Sequence, residues 1–164
     1  MSLQDGSGPW GNNANEGSIP WQFTLEDGAK ITRVVVRSYD IIDAIAFTVV
    51  DSNGYITTYE YGNPTSTASE IKLKDGEYIT QISGSYGNYK WNNGRVTLST
   101  LKIYTNKNTN GYGPYGKGAD VSNTQVFKSS KGKVIGFYGT IGANKHYLES
   151  IGITLQDSVQ VSKA

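Results

Sequence analysis

Apolar and polar positions alternate in short runs along most of this chain. Ile31 to Arg37 (ITRVVVR), Ile45 to Val50 (IAFTVV), Tyr55 to Tyr61 (YITTYEY), Glu70 to Leu73 (EIKL) and Tyr78 to Ser83 (YITQIS) each have the period of two, or the β-branched content, of a strand. So do Arg95 to Leu98, Leu101 to Thr105, Gln125 to Lys128, Val134 to Tyr138 and Ile151 to Leu155. Turn dipeptides fall between the runs: Asp27-Gly28, Asn53-Gly54, Asp75-Gly76, Asn93-Gly94 and Lys131-Gly132. Asn-Gly and Asp-Gly supply the positive φ that tight hairpins require. No stretch of helical length carries a 3.6-residue period, so the pattern predicts an all-β fold.

The pattern also repeats. Three glycine-aromatic loops, centred on Trp10, Tyr61 and Tyr115, lie 51 and 54 residues apart. Gly28, Gly76 and Gly132 form a second series, spaced by 48 and 56 residues. A third series closes each unit: Asp43-Ala44-Ile45-Ala46-Phe47, Ser99-Thr100-Leu101-Lys102-Ile103 and Glu149-Ser150-Ile151-Gly152-Ile153. Three landmarks in one order and at nearly one period define three units of about four strands each. A four-stranded sheet buries only one face, so three such sheets are expected to pack around a common axis.

Composition narrows the chemistry. The 164 residues fit one domain, expected to span 1–164 with its core over about 7–155. Twenty glycines and twelve tyrosines suit short strands and tight turns. There is no cysteine and a single histidine, His146, which excludes disulfide scaffolds, thiolate zinc sites and multi-histidine metal sites. Fifteen basic and fourteen acidic residues leave a net charge of +1, with no electrostatic footprint for nucleic acid. No apolar run approaches the ~20 residues of a membrane span. No basic segment followed by an apolar stretch is visible at the start, which gives the expectation of a cytoplasmic or nucleocytoplasmic protein, secretion without a visible leader staying open. Gly113-Pro114-Tyr115-Gly116-Lys117-Gly118 lacks the ending and the following helix of a phosphate-binding loop. Without a nucleophile constellation no enzyme is expected, nor any cofactor.

Several blocks carry a family resemblance. Gly8-Pro9-Trp10-Gly11, the run from Tyr104-Thr105-Asn106-Lys107 to Gly113-Pro114-Tyr115-Gly116, and Gly136-Phe137-Tyr138-Gly139 followed by Tyr147-Leu148-Glu149-Ser150-Ile151-Gly152 resemble the jacalin-related lectins over residues 7–155. The resemblance implies a β-prism of three Greek-key sheets with pseudo-threefold symmetry. It implies metal-independent binding of carbohydrate, here of the mannose/glucose type, and a role in plant defence.

In that family a Gly-x-x-x-Asp loop, faced by a glycine loop, holds the sugar. A carboxylate accepts from two hydroxyls, and glycines let backbone N–H groups come close. Carried over, site 1 is Lys145, His146, Tyr147, Leu148 and Glu149, faced by Asn15 in the loop Gly11 to Gly17. Lysine and glutamate stand where glycine and aspartate are usual. Site 2 is Asp40, Ile41, Ile42 and Asp43, faced by Asn63, with Tyr39 in the glycine position. Asp43 has a second reading, as a turn cap before a strand. The middle unit's loop, Asn88 to Ser99, has no carboxylate and no expected site. Trp10 and Trp21 are read as packing residues, Tyr147 as an exposed wall, Trp91 as an exposed contact residue and His146 as an exposed loop residue. The alternative to sugar binding is an interaction module with degenerate sites that acts through protein contacts. Exposed strand edges make a homodimer a further expectation.

Overall fold

The computed structural model describes residues 7–12 and 17–156. Twelve strands follow one another: β1 (Trp10–Gly11), β2 (Ser18–Thr24), β3 (Lys30–Ser38), β4 (Ile42–Val50), β5 (Ile56–Gly62), β6 (Thr67–Lys72), β7 (Ile79–Tyr89), β8 (Val96–Thr105), β9 (Tyr112–Tyr115), β10 (Val121–Lys128), β11 (Val134–Gly142) and β12 (Leu148–Leu155). The one helical element among the described residues is a 3₁₀ turn at Lys90–Asn92.

The strands form three antiparallel four-stranded sheets, ordered β1-β12-β11-β2, β5-β4-β3-β6 and β9-β8-β7-β10. This is a β-prism. Its sheets are offset by half a unit from the three sequence units. Each sheet takes the last two strands of one unit and the first two of the next, so the first sheet is built from both ends of the chain. The three equivalent pairings are Trp10 with Ile151, Tyr61 with Ile45 and Tyr115 with Leu101. Ile45, Leu101 and Ile151 are fully buried, and Phe47, Ile103 and Ile153 lie one inward position further along their strands. The third sequence series therefore lines the common core.

Aromatics tie the sheets together. Trp10 stacks on Phe127 with centroids 4.8 Å apart, and Trp21 on Tyr61 at 4.4 Å. Both tryptophans are buried, as the packing reading requires. The edge strands β1, β2 and β9 were not visible as periodic runs. β2 contains Pro20, which an edge strand tolerates because one side needs no ladder donor.

Candidate functional site

The three sequence units bring three equivalent loop pairs to the ends of β4, β8 and β12. In each, a glycine at the end of an edge strand lies directly on the backbone of the residue that opens the third series. A Cβ on Gly11 would run into the carbonyl oxygen of Glu149, on Gly62 into that of Asp43, and on Gly116 into that of Ser99. All three glycines have positive φ, so glycine is required twice over. The following N–H donates to the same carbonyl in two of them: Asn12 to Glu149 at 2.7 Å and Asn63 to Asp43 at 2.9 Å. Glu149, Asp43 and Ser99 thus occupy one structural position three times.

Their side chains differ. Glu149 was expected at the rim as an open acceptor, and the geometry corrects this. It is fully buried. Arg95 reaches it from the middle unit, Nε to Oε2 at 2.6 Å and Nη2 to Oε1 at 2.9 Å. The Ser18 hydroxyl donates to Oε1 at 3.0 Å. The carboxylate in turn holds the guanidinium above its ordinary pKa. The glutamate's added methylene carries its oxygens to this partner. A fork-on-fork pair is the stronger kind of charge-assisted contact.

Asp43 retains 7% exposure, and among the described residues no ion pair forms on it. Burial raises its pKa, the Ser66 side chain offsets part of that rise, and the charge of Asp40 adds to it. Asp40 accepts from the Tyr89 hydroxyl at 2.9 Å. Burial, that hydrogen bond and the nearby carboxylates push the Tyr89 phenol well up. Ile41 and Ile42 are buried, backbone included. Tyr39 is exposed, with the Lys117 ammonium 4.0 Å from its ring centre.

The third unit's loop divides its residues between the two sites. Lys145 and His146 are exposed, and His146 has a φ of 61°. Leu148 is buried. Tyr147, assigned by sequence to site 1, packs edge-on against Tyr89 at 5.9 Å. Burial, then the charges of Asp43 and Asp40, raise its pKa. It is half-buried and belongs with the first unit's acids. Asn63 joins the same cluster, its Nδ2 donating to the Lys145 carbonyl at 3.1 Å. Asn15 lies outside the described residues.

Tyr89 and Arg95 are the contacts of these acids that the sequence reading missed. Arg95 stands four residues before Ser99, as Tyr39 does before Asp43 and Lys145 before Glu149. The threefold alignment therefore marked it as a rim residue, although not its partner. The middle unit has no acid at the equivalent position; Ser99 stands there and bonds Ser85 at 2.9 Å. Trp91 is exposed, its Nε1 donating to Asp120 at 2.9 Å. Among the described residues no three His, Asp or Glu side chains gather as a metal site, and no helix is long and apolar enough to cross a membrane.

A three-sheet prism with acids and backbone donors at its loop ends defines a binding protein of the β-prism lectin class. The jacalin-like lectin domain model matches residues 7–154, and the chain belongs to that family. It is 32% identical to a mannose/glucose-specific lectin of Parkia pendula over 158 residues, covering 94% of this chain and 32% of that protein. The chain thus spans about a third of that relative's length. It is 33% identical to the jacalin-related lectin Calsepa of Calystegia sepium over 155 residues, covering 89% of this chain and 91% of Calsepa. The solved structure of Malaysian banana lectin superposes with a TM-score of 0.72 at 30% identity, over 91% of this chain and 95% of that one. Calsepa solved in complex with a bisected glycan gives 0.70 at 25% identity, over 92% and 96%.

Proposed function

We propose that this chain is a metal-independent lectin for mannose/glucose-type glycans and that it grips them at the first unit's rim. The observation that carries the reading is Asp43. It occupies the same structural position as Glu149, yet among the described residues no cation takes its carboxylate, which meets the Ser66 side chain instead. An ionised carboxylate accepts from two adjacent hydroxyls of a pyranose, which is the stronger, charge-assisted kind of bond. Asp40, half-buried beside Asp43, adds a second carboxylate at the rim. Asn63 closes the opposite side, and Tyr39 and Tyr147 give the ring apolar surface.

The Parkia relative, named for mannose and glucose, and the glycan complex of Calsepa support the sugar class. One hexose buries little area, so affinity per site falls at about the millimolar end. A homodimer, expected from the exposed strand edges, would add avidity. Sedimentation at binding concentrations decides that point. A glycan array followed by mannose titration, with and without chelator, tests the whole reading. Binding to mannose- or glucose-ended glycans that chelator leaves unchanged is the expected result. Silence toward every such glycan defeats it.

A further inference from the structure

We propose, resting on the lectin reading above, that Arg95 sets the number of sugar sites, holding the third unit's site shut and leaving one open site per chain. Three observations converge on this. First, Glu149 and Asp43 stand at equivalent positions beside equivalent glycines, Gly11 and Gly62, so the backbone of a second site is in place. Second, both Glu149 oxygens are already used, by two Arg95 donors and by Ser18. Third, the amide Nδ2 of Asn12 is buried and has no partner. Asn12 is the residue whose N–H donates to the Glu149 carbonyl, and it is 8% exposed. Buried polar groups are normally satisfied, so this amide, on the residue whose backbone holds the Glu149 carbonyl, is a donor left over at the third unit's rim.

Magnitudes decide which contact wins. Separating one partner from a buried, hydrogen-bonded ion pair weakens the state that does so by roughly two to three orders of magnitude. A hexose site of about millimolar strength is thereby weakened to about 0.1–1 M, too weak for titration to detect. A sugar therefore meets Glu149 already held by a guanidinium, and Asp43, 7% exposed, with no ion pair among the described residues. The guanidinium comes from a loop, Asn88 to Ser99, that has no acid of its own, so the middle unit acts as the stopper of the third. Arg95 is a positioning residue here, because it acts on the ligand through Glu149. A cavity of about 160 Å³ adjoins the pair, lined by Asn93, Arg95, Gly142, Asn144 and Lys145 among others.

Methyl α-mannoside is the probe, read by calorimetry and by backbone amide shifts. In the native chain, Ile41 to Asp43, Asn63 and Tyr147 should shift with a stoichiometry near one, while Asn12, whose N–H rests on the Glu149 carbonyl, stays still. Asp43→Asn should abolish binding. Adding Arg95→Ala to that variant should restore millimolar binding, and a further Glu149→Gln should remove it again. Arg95→Gln stands in should the alanine variant not fold. A shift of the Asn12 amide in the native chain, in step with those of Ile41 to Asp43, would overturn the proposal. So would a folded Asp43→Asn/Arg95→Gln protein that stays silent while the native chain binds. A native chain that binds nothing refutes the lectin reading itself, which separates the two failures.

Discussion

Asp43 is the residue on which stability and binding pull apart. Its pKa is raised by burial, with Asp40 adding to the rise and Ser66 opposing it. A carboxyl with a raised folded pKa binds its proton more tightly when folded. Its contribution is least unfavourable below the ordinary value of 3.8 and turns into a cost as pH rises through the raised value. Asp43→Asn is therefore expected to melt at a higher temperature than the native chain at neutral pH, and at nearly the same temperature in acid. The same substitution should abolish mannose binding. In the native chain, affinity should fall as pH drops through the raised pKa, earlier than for an ordinary aspartate. Calorimetric melts of both proteins and a pH series of titrations check these outcomes. A variant that melts lower at neutral pH contradicts the burial argument. The two acids at equivalent positions were legible in the sequence. Their different fates were not, because Glu149 meets Arg95 across 54 residues of chain and no local pattern encodes that pairing.

At the scale of strands, legibility followed chemistry. β3, β4 and β5 carry dense β-branched or aromatic alternation and were readable to within three residues. β7 runs on to Tyr89, past the expected end at Ser83, because Gly84 and Gly87 look like breakers. Both glycines instead press against a neighbouring strand: a Cβ on Gly84 would meet the Thr100 carbonyl, and one on Gly87 the Ser122 carbonyl. β8 joins two expected strands into one, through the buried Ser99. The Thr105-Asn106-Lys107 block has a physical role that periodicity does not reveal. Asn106 accepts from the Tyr78 N–H at 2.8 Å and donates to the Gly76 carbonyl at 3.0 Å, while Lys107 reaches the Asp75 carbonyl at 2.6 Å. Thr105 and Tyr112 donate to Glu77 at 2.6 and 2.7 Å. Burial alone would raise the Glu77 pKa, but the Lys74 N–H and these two hydroxyls outweigh it and leave the pKa lowered. A lowered folded pKa gives stability that is present above the ordinary value of 4.5 and lost as pH falls through the folded value. Glu77→Gln should thus lower the melting temperature at neutral pH and flatten its fall between about pH 5 and pH 3. A variant whose acid limb is as steep as the native one would show that other carboxylates govern acid unfolding.

At the scale of the molecule, the half-unit offset makes the sheets unequal. Two are built from continuous stretches, 30–72 and 79–128, whereas the third needs β1 and β2 to meet β11 and β12. β1 contributes only Trp10 and Gly11 to that closure. Two residues of ladder are worth about one or two net hydrogen bonds, roughly 1–3 kcal/mol. The ring of Trp10 is worth more. It is 4% exposed and stacks on Phe127 of a neighbouring sheet at 4.8 Å with 10° between planes. Trp10→Ala removes a buried aromatic and leaves a cavity, at a cost of about 3–5 kcal/mol. For a domain of this size that lowers the melting temperature by about 10 °C. Gly11 follows Trp10 and rests on the Glu149 carbonyl, so the loss falls on the third unit's rim. The first unit's acids hang from β3 to β6, which keep their own ladder and register. Below its melting transition, Trp10→Ala should therefore bind mannose within about twofold of the native chain, while amide exchange along β12 speeds up. Equal loss of mannose affinity and of β12 protection would mean that the prism holds its rim as one unit, and that the first unit's site depends on the closure of the whole.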